Sequence, residues 1–152
     1  MNDFDLQLND LLSDTFRAIL KFEEKTIKQS SVADVSISEL HLIESIARQP
    51  DQTLTIGDIA IDLGITKPSV TNAIQKLEQK GLVERIKDGS DGRRVFVSLT
   101  KVGKKVNSVH GYFHEHMVKN ISALFTEEEK SILLKGVRQL NKYFVHKNAE
   151  DE

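Results

Sequence analysis

Between Thr66 and Leu77 two kinds of side chain interleave at helical spacing. Val70, Ala73, Ile74 and Leu77 fall on one face, and Thr66, Lys67, Ser69, Thr71, Asn72, Gln75 and Lys76 make up the other. The second set has the chemistry of a helix that reads DNA: Asn and Gln amides pair bidentately with adenine, Ser and Thr hydroxyls bond bases or phosphates, and Lys neutralises phosphate. A solvated helix face can have the same composition, so the segment alone does not decide. The next stretch does. Leu82, Val83, Arg85 and Ile86 lead to a turn over residues 87–92, and Val95, Val97 and Leu99 alternate on the return, as a half-buried strand should. Arg93 and Arg94 stand where the ribbon leaves its tip, a place from which guanidinium groups can enter a narrow, electronegative minor groove. Asp91 would repel phosphate if it pointed outward, so it reads as a brace paired with an arginine such as Arg85.

A second constellation is made of histidines. His110 and His114 are spaced i and i+4 on a helix-period segment, so their imidazoles share a face; His41 belongs to another helix, and Glu23 and Glu24 to the end of the first. Three imidazoles and a carboxylate suit tetrahedral Zn²⁺, with Glu24, His41, His110 and His114 as the candidate set and Glu115 and His116 as competitors. An i,i+4 histidine pair is also an ordinary solvated feature, and both readings stand. No cofactor is required by the chain. It has no nucleophile–base–orienter set, no Gly-rich phosphate loop and no carboxylate pair tied to a cleft, which argues against an enzyme.

The elements that must position these residues follow from caps and periodicity. Thr55-x-x-Asp58 opens a short helix over 56–63 with Ile56, Ile59, Ala60 and Leu63 on one face; Gly64 supplies the positive φ that ends it, and Ile65 is expected as an apolar plug in the turn. Thr66 caps the reading helix, Pro68 is tolerated in its first turn, and Gly81 stops it after Lys80. Before this unit, residues 4–28 repeat apolar side chains at Leu8, Leu11, Leu12, Phe16, Ile19, Leu20 and Ile27, and Ser36-x-x-Glu39 forms a capping box for a helix that Pro50 ends. After it, Thr100 starts a long helix to about Leu124 and Thr126-x-x-Glu129 caps another to about Val145. The predicted fold is mostly α with a small β-hairpin wing, a winged helix-turn-helix flanked by dimerising N- and C-terminal helices. Its expected divisions are 1–35 for the N-terminal helix and loop, 36–100 for the DNA-binding domain, 101–146 for the C-terminal helices and 147–152 for a disordered tail.

Long amphipathic helices cannot bury themselves on so small a winged domain. Leu6, Leu11, Ile121, Leu124, Phe125, Ile132, Leu133, Val137, Leu140, Tyr143 and Phe144 therefore predict a two-fold homodimer built from both ends of the chain. A length of 152 residues fits one compact domain plus helices that need a partner. The formal net charge of −2 hides a basic middle, with ten Lys/Arg against four Asp/Glu between Gly64 and Lys105. Cysteine is absent, which excludes disulfides and thiol chemistry. Neither a membrane-spanning run nor a basic-then-apolar leader is present, so no membrane partner and a cytoplasmic location are expected.

The run Ile56-Gly-Asp-Ile-Ala, Leu63-Gly-Ile-Thr-Lys-Pro-Ser-Val-Thr, Leu77-Glu-Gln-Lys-Gly-Leu-Val-Glu-Arg85 and Asp91-Gly-Arg-Arg-Val-Phe-Val-Ser-Leu-Thr-Lys-Val-Gly103 resembles the MarR family of winged helix-turn-helix transcriptional regulators. The resemblance implies a homodimer that sets two recognition helices on successive turns of a pseudo-palindromic operator, with half-sites about 34 Å apart. It gives the minor-groove role to Arg93; Gly92 replaces an arginine common in the family, so Arg94 shares the work of the tip. Phe22-Glu-Glu, Ile37-Ser-Glu-Leu-His41 and His110-Gly-Tyr-Phe-His114 look like the branch that represses fatty-acid synthesis genes in Gram-positive bacteria, which implies a fatty-acyl effector on an acyl-carrier protein. An acidic residue at 23 or 24 with His41, His110 and His114 is also similar to the family's zinc-responsive branch. The rival from another class is a winged-helix module that binds protein rather than DNA; the basic wing and polar face argue against it.

Overall fold

The computed structural model describes residues 2–30, 34–87 and 95–150. Among them are six helices and three strands in the order α1 (Asp3–Ser30), α2 (Ile37–Ala47), β1 (Thr53–Thr55), α3 (Ile56–Leu63), α4 (Lys67–Gln79), β2 (Val83–Lys87), β3 (Val95–Leu99), α5 (Lys101–Ser122) and α6 (Glu127–Glu150). The chain separates into two compact units, residues 1–113 and 114–152, with the division inside α5 rather than at 100/101. No helix among the described residues is long and apolar enough to cross a membrane.

In the first unit the local signals hold. Ser36 accepts from the Glu39 N–H while the Glu39 carboxylate accepts from the Ser36 N–H at 2.8 Å, a closed capping box at the start of α2. Thr55 caps α3, and Gly64 ends it at φ 61°, a left-handed conformation that costs glycine little. The three-helix core gathers Leu40, Ile43 and Ile46 of α2, Ile59 of α3, and Val70, Ile74 and Leu77 of α4, all nearly or completely buried. Each such side chain contributes about 1.5–3 kcal/mol through its removal from water. This core fixes which face of α4 looks outward.

The wing is part of a three-stranded antiparallel sheet ordered β1-β3-β2, with Thr55 opposite Phe96 and Arg85 opposite Val97. Sequence reasoning missed β1: three residues, Thr53-Leu54-Thr55, are too few to show a period, although their alternation fits a strand. Val97 and Leu99 are buried on β3 as their alternation predicts. From β3 the chain turns into α5 under tight control. Thr100 donates its N–H to the Leu82 carbonyl at 3.1 Å and its hydroxyl to the Gly81 carbonyl at 2.7 Å, and accepts from the Gly103 N–H.

Ile65 differs from expectation: it is 43% exposed, because the left-handed turn at Gly64 places it outside the core instead of plugging it. α1 forms one uninterrupted helix whose buried residues are Glu23 and Ile27, leaving Leu11 and Phe16 each 65% exposed.

In the second unit α6 begins at a capping box, with Thr126 N–H donating to Glu129 at 2.8 Å. The helix continues to Glu150, beyond the expected end near Val145, so the tail predicted to be disordered from 147 is helical through 150. Neither Gly nor Pro interrupts His146-Lys147-Asn148-Ala149-Glu150, and Lys147 suits the negative end of the helix dipole. Leu124 and Ile132 are more than 70% exposed.

Candidate nucleic-acid interface

α4 begins where the Thr66 side chain accepts from the Ser69 N–H at 3.3 Å; the two hydroxyls lie 2.9 Å apart. Thr71 is half-buried and its hydroxyl donates back to the Lys67 carbonyl at 2.9 Å. All three hydroxyls bond within the helix, and Thr66 and Ser69 remain exposed on its first turn. Lys67, Asn72, Gln75 and Lys76 are exposed, and their amides and ammonium groups are the polar chemistry the face presents to a partner. The stem of Lys67 runs along the first turn of α3: a Cβ placed on Gly57 would meet its Cε at 3.6 Å.

Behind the wing, Arg85 of β2 pairs with Glu78 of α4 at 3.1 Å, so this arginine ties the ribbon to the reading helix. Its expected partner Asp91 and the tip residues Arg93 and Arg94 lie outside the described residues. Ser45, buried on α2, donates to Asp62 of α3 at 2.5 Å and holds the first helix of the pair in place. Lys80, the C-cap residue of α4, reaches Glu39 of α2 and the Asp34 carbonyl. Sequence reasoning missed this junction because its members lie 41 and 46 positions apart. Burial pushes the Glu39 carboxyl up, but Lys80 and the Ser36 N–H outweigh that and hold it below the usual carboxylate range.

The histidine constellation is sorted differently from expectation. Glu23, not Glu24, meets His110: Oε1 and Nε2 lie 2.5 Å apart with both side chains almost fully buried. Glu24 is one residue further round α1, exposed, and bonded to Lys28 at 2.7 Å; that ammonium holds its carboxyl below the usual range. His41 is exposed, its ring centre 6.4 Å from that of His110. His114 lies one turn further along α5 in the second unit. Two donors on one tetrahedral Zn²⁺ with bonds of about 2.0 Å stand about 3.3 Å apart, so Glu23 and His110 would have to separate to share an ion. Beside them, Ile27, Val35, Leu40, Val106 and Val109 line an apolar crevice between α1, α2 and α5 with only about 10 Å³ of free space, no more than a water needs.

A helix-turn-helix with a sheet-borne wing and an exposed amide- and lysine-bearing reading face defines a winged-helix protein. The profile of the MarR family matches residues 33–94. The chain is 31% identical to the HTH-type transcriptional regulator FarR of Neisseria gonorrhoeae over 132 residues, 87% of this chain and 82% of that one. The chain belongs to the MarR family. Its structure superposes on Streptococcus pneumoniae FabT, solved in complex with DNA, with a TM-score of 0.88 and 32% identity, covering 93% of this chain and 97% of that one. It is also 29% identical to the transcriptional regulator AdcR of Streptococcus pneumoniae over 55% of this chain. The matched stretch spans 59% of the length of AdcR and of one further curated relative.

Proposed function

We propose that the chain is a sequence-specific DNA-binding transcriptional regulator, a homodimeric repressor acting on a pseudo-palindromic operator. The exposed face of α4 carries this reading, since its Asn72, Gln75, Lys67 and Lys76 combine base-reading amides with phosphate-neutralising cations on a buried scaffold. Arg93 and Arg94 supply the minor-groove contact. The exposed apolar residues of α1 and α6 support the homodimer, because a second copy offers the same faces. The likeness to FabT in complex with DNA supports the DNA partner.

The regulated genes in this reading are those of fatty-acid synthesis, and the effector is a fatty-acyl group on an acyl-carrier protein. Its chain enters between α1, α2 and α5, where the crevice wall is apolar but closed, so entry must part the helices. An effector of that kind shifts DNA affinity because it binds the opened state alone. Zn²⁺ is the competing effector, favoured by the buried donors Glu23 and His110 standing side by side. One titration tests the whole reading. Untagged protein is added to labelled palindromic DNA at two salt concentrations, then with Zn²⁺ and chelator, then with acyl-carrier protein in acylated and free forms. Binding that weakens steeply with salt and is altered by the acylated carrier is expected. A micromolar monomer with no salt-sensitive shift would overturn the DNA reading, and metal-dependent binding abolished by His110→Ala would transfer the effector role to zinc.

A further inference from the structure

We propose that Lys80 and Glu39 form a positioning latch that ties the C-terminal end of the reading helix to the corner between α1 and α2, so that movement of the corner is passed to the DNA-reading face. The inference rests on the DNA-binding function proposed above. The Lys80 ammonium has three N–H groups, and the structure gives it three acceptors: Glu39 Oε1 at 2.9 Å, Glu39 Oε2 at 2.8 Å and the Asp34 carbonyl at 2.7 Å. Both carboxylate oxygens are therefore held by one cation, and the Glu39 side chain is only 11% exposed.

Three features make this more than a surface ion pair. Lys80 is the C-cap residue of α4, where a cation also meets the negative end of the helix dipole. Glu39 is the N3 residue of α2 and closes its capping box with Ser36, so pulling on its carboxylate pulls on the first turn of α2. The third acceptor, Asp34, belongs to the connection between α1 and α2. An exposed pair joining two side chains of one helix, such as Glu24–Lys28, contributes little and transmits nothing. The Lys80 group instead joins the end of α4 to Glu39 and Asp34, 41 and 46 positions away in sequence.

The apolar stripe of α4 fixes the axis of the helix against the core, while its C-terminal end borders an open cleft of about 710 Å³ that Ile27, Lys28, Val35, Ile37 and Gln79 help to line. On the side that faces this cleft the latch holds the end of α4, adding to the packing of Leu77 and Leu82 and to the hydrogen bonds of Thr100 on its other side. Lys80 and Glu39 are thus positioning residues; they act on DNA through the orientation of Asn72 and Gln75.

Charge gives the test its edge. Glu39→Gln removes a negative charge from a DNA-binding protein, so electrostatics alone predicts tighter binding to every sequence. Glutamine still serves the N3 position of a capping box, which preserves α2. The latch predicts the opposite for operator DNA: roughly tenfold weaker operator binding, with non-specific DNA bound as well as before or better. Lys80→Met should give the same loss, Lys80→Arg should restore most of the operator affinity, and the Glu39→Gln/Lys80→Met double variant should be no worse than either single change. Hydrogen exchange on the DNA-free protein supplies an independent readout, with faster exchange expected at the amides of Gln79, Lys80 and Gly81 in Glu39→Gln while the melting transition stays cooperative. Wild-type protein that binds no DNA would remove the functional reading and leave the latch to be judged by exchange. Unchanged exchange, or equal strengthening of operator and non-specific binding by Glu39→Gln, would overturn the latch.

Discussion

Residue chemistry divides the reading face into amides that discriminate and cations that attract. Replacing Asn72 or Gln75 with Ala should remove about 1–3 kcal/mol of preference for the matched base pair while leaving non-specific binding nearly unchanged. Replacing Lys67 or Lys76 with Gln should weaken all sequences alike and lower the salt slope by about 1. Competition binding against operators changed one base pair at a time, repeated across a salt series, separates the two behaviours. Thr71 should behave as neither: its hydroxyl is returned to the Lys67 carbonyl, so Thr71→Val should keep the sequence preference. Arg93→Ala should lower operator affinity through lost minor-groove contact, and an unchanged affinity would move that role to Arg94.

Elements here are joined by close backbone approaches as much as by side chains. The first turn of α5 lies against Leu82 so tightly that a Cβ on Gly103 would stand 2.0 Å from the Leu82 carbonyl oxygen, well inside any permitted contact. Gly103→Ala must therefore shift backbone rather than a flexible side chain, and should destabilise the first unit by at least the roughly 1–3 kcal/mol of core overpacking. Thermal unfolding should show it as a fall of several degrees, at about 2–4 °C per kcal/mol for a chain of this size. Thr66→Ala should cost about 1 kcal/mol by removing the N-cap of α4. The two changes differ in kind. The glycine substitution strains the joint between wing and α5, whereas loss of the cap frays the end of the reading helix, so only the second should raise hydrogen exchange selectively at Ser69.

For the molecule as a whole, the unpartnered apolar faces state the main expectation. Leu11 and Phe16 on α1, and Leu124 and Ile132 on α6, are large apolar side chains left largely in water by the single chain. Sedimentation should find a dimer at micromolar concentration. Leu124→Glu combined with Ile132→Glu should shift it to monomer and reduce operator affinity by more than a hundredfold, since a half-site bound alone forfeits the gain from linking two. A dimer that survives those changes would place the interface elsewhere.

Sequence alone determined the features that depend on near neighbours. The caps at Ser36, Thr55, Thr66 and Thr126, the glycine stop at Gly64 and the stripe through Val70, Ile74 and Leu77 arise from spacings of three or four residues, within reach of local hydrogen bonds and helix periodicity. The family resemblance was legible for the same reason, since its motifs are short local stretches that follow one another between Ile56 and Gly103. Tertiary structure decided what depends on which segments meet. Glu23 and Glu24 are equivalent in a string of letters, but about 100° apart on a helix, and packing chose the former for His110 and left the latter to Lys28. β1 joined the sheet because β3 offered it a free edge, not because three residues prefer to be a strand. The grip of Lys80 on Glu39 and Asp34 belongs to the tertiary fold, which brings positions 41 and 46 residues apart in sequence within hydrogen-bond reach.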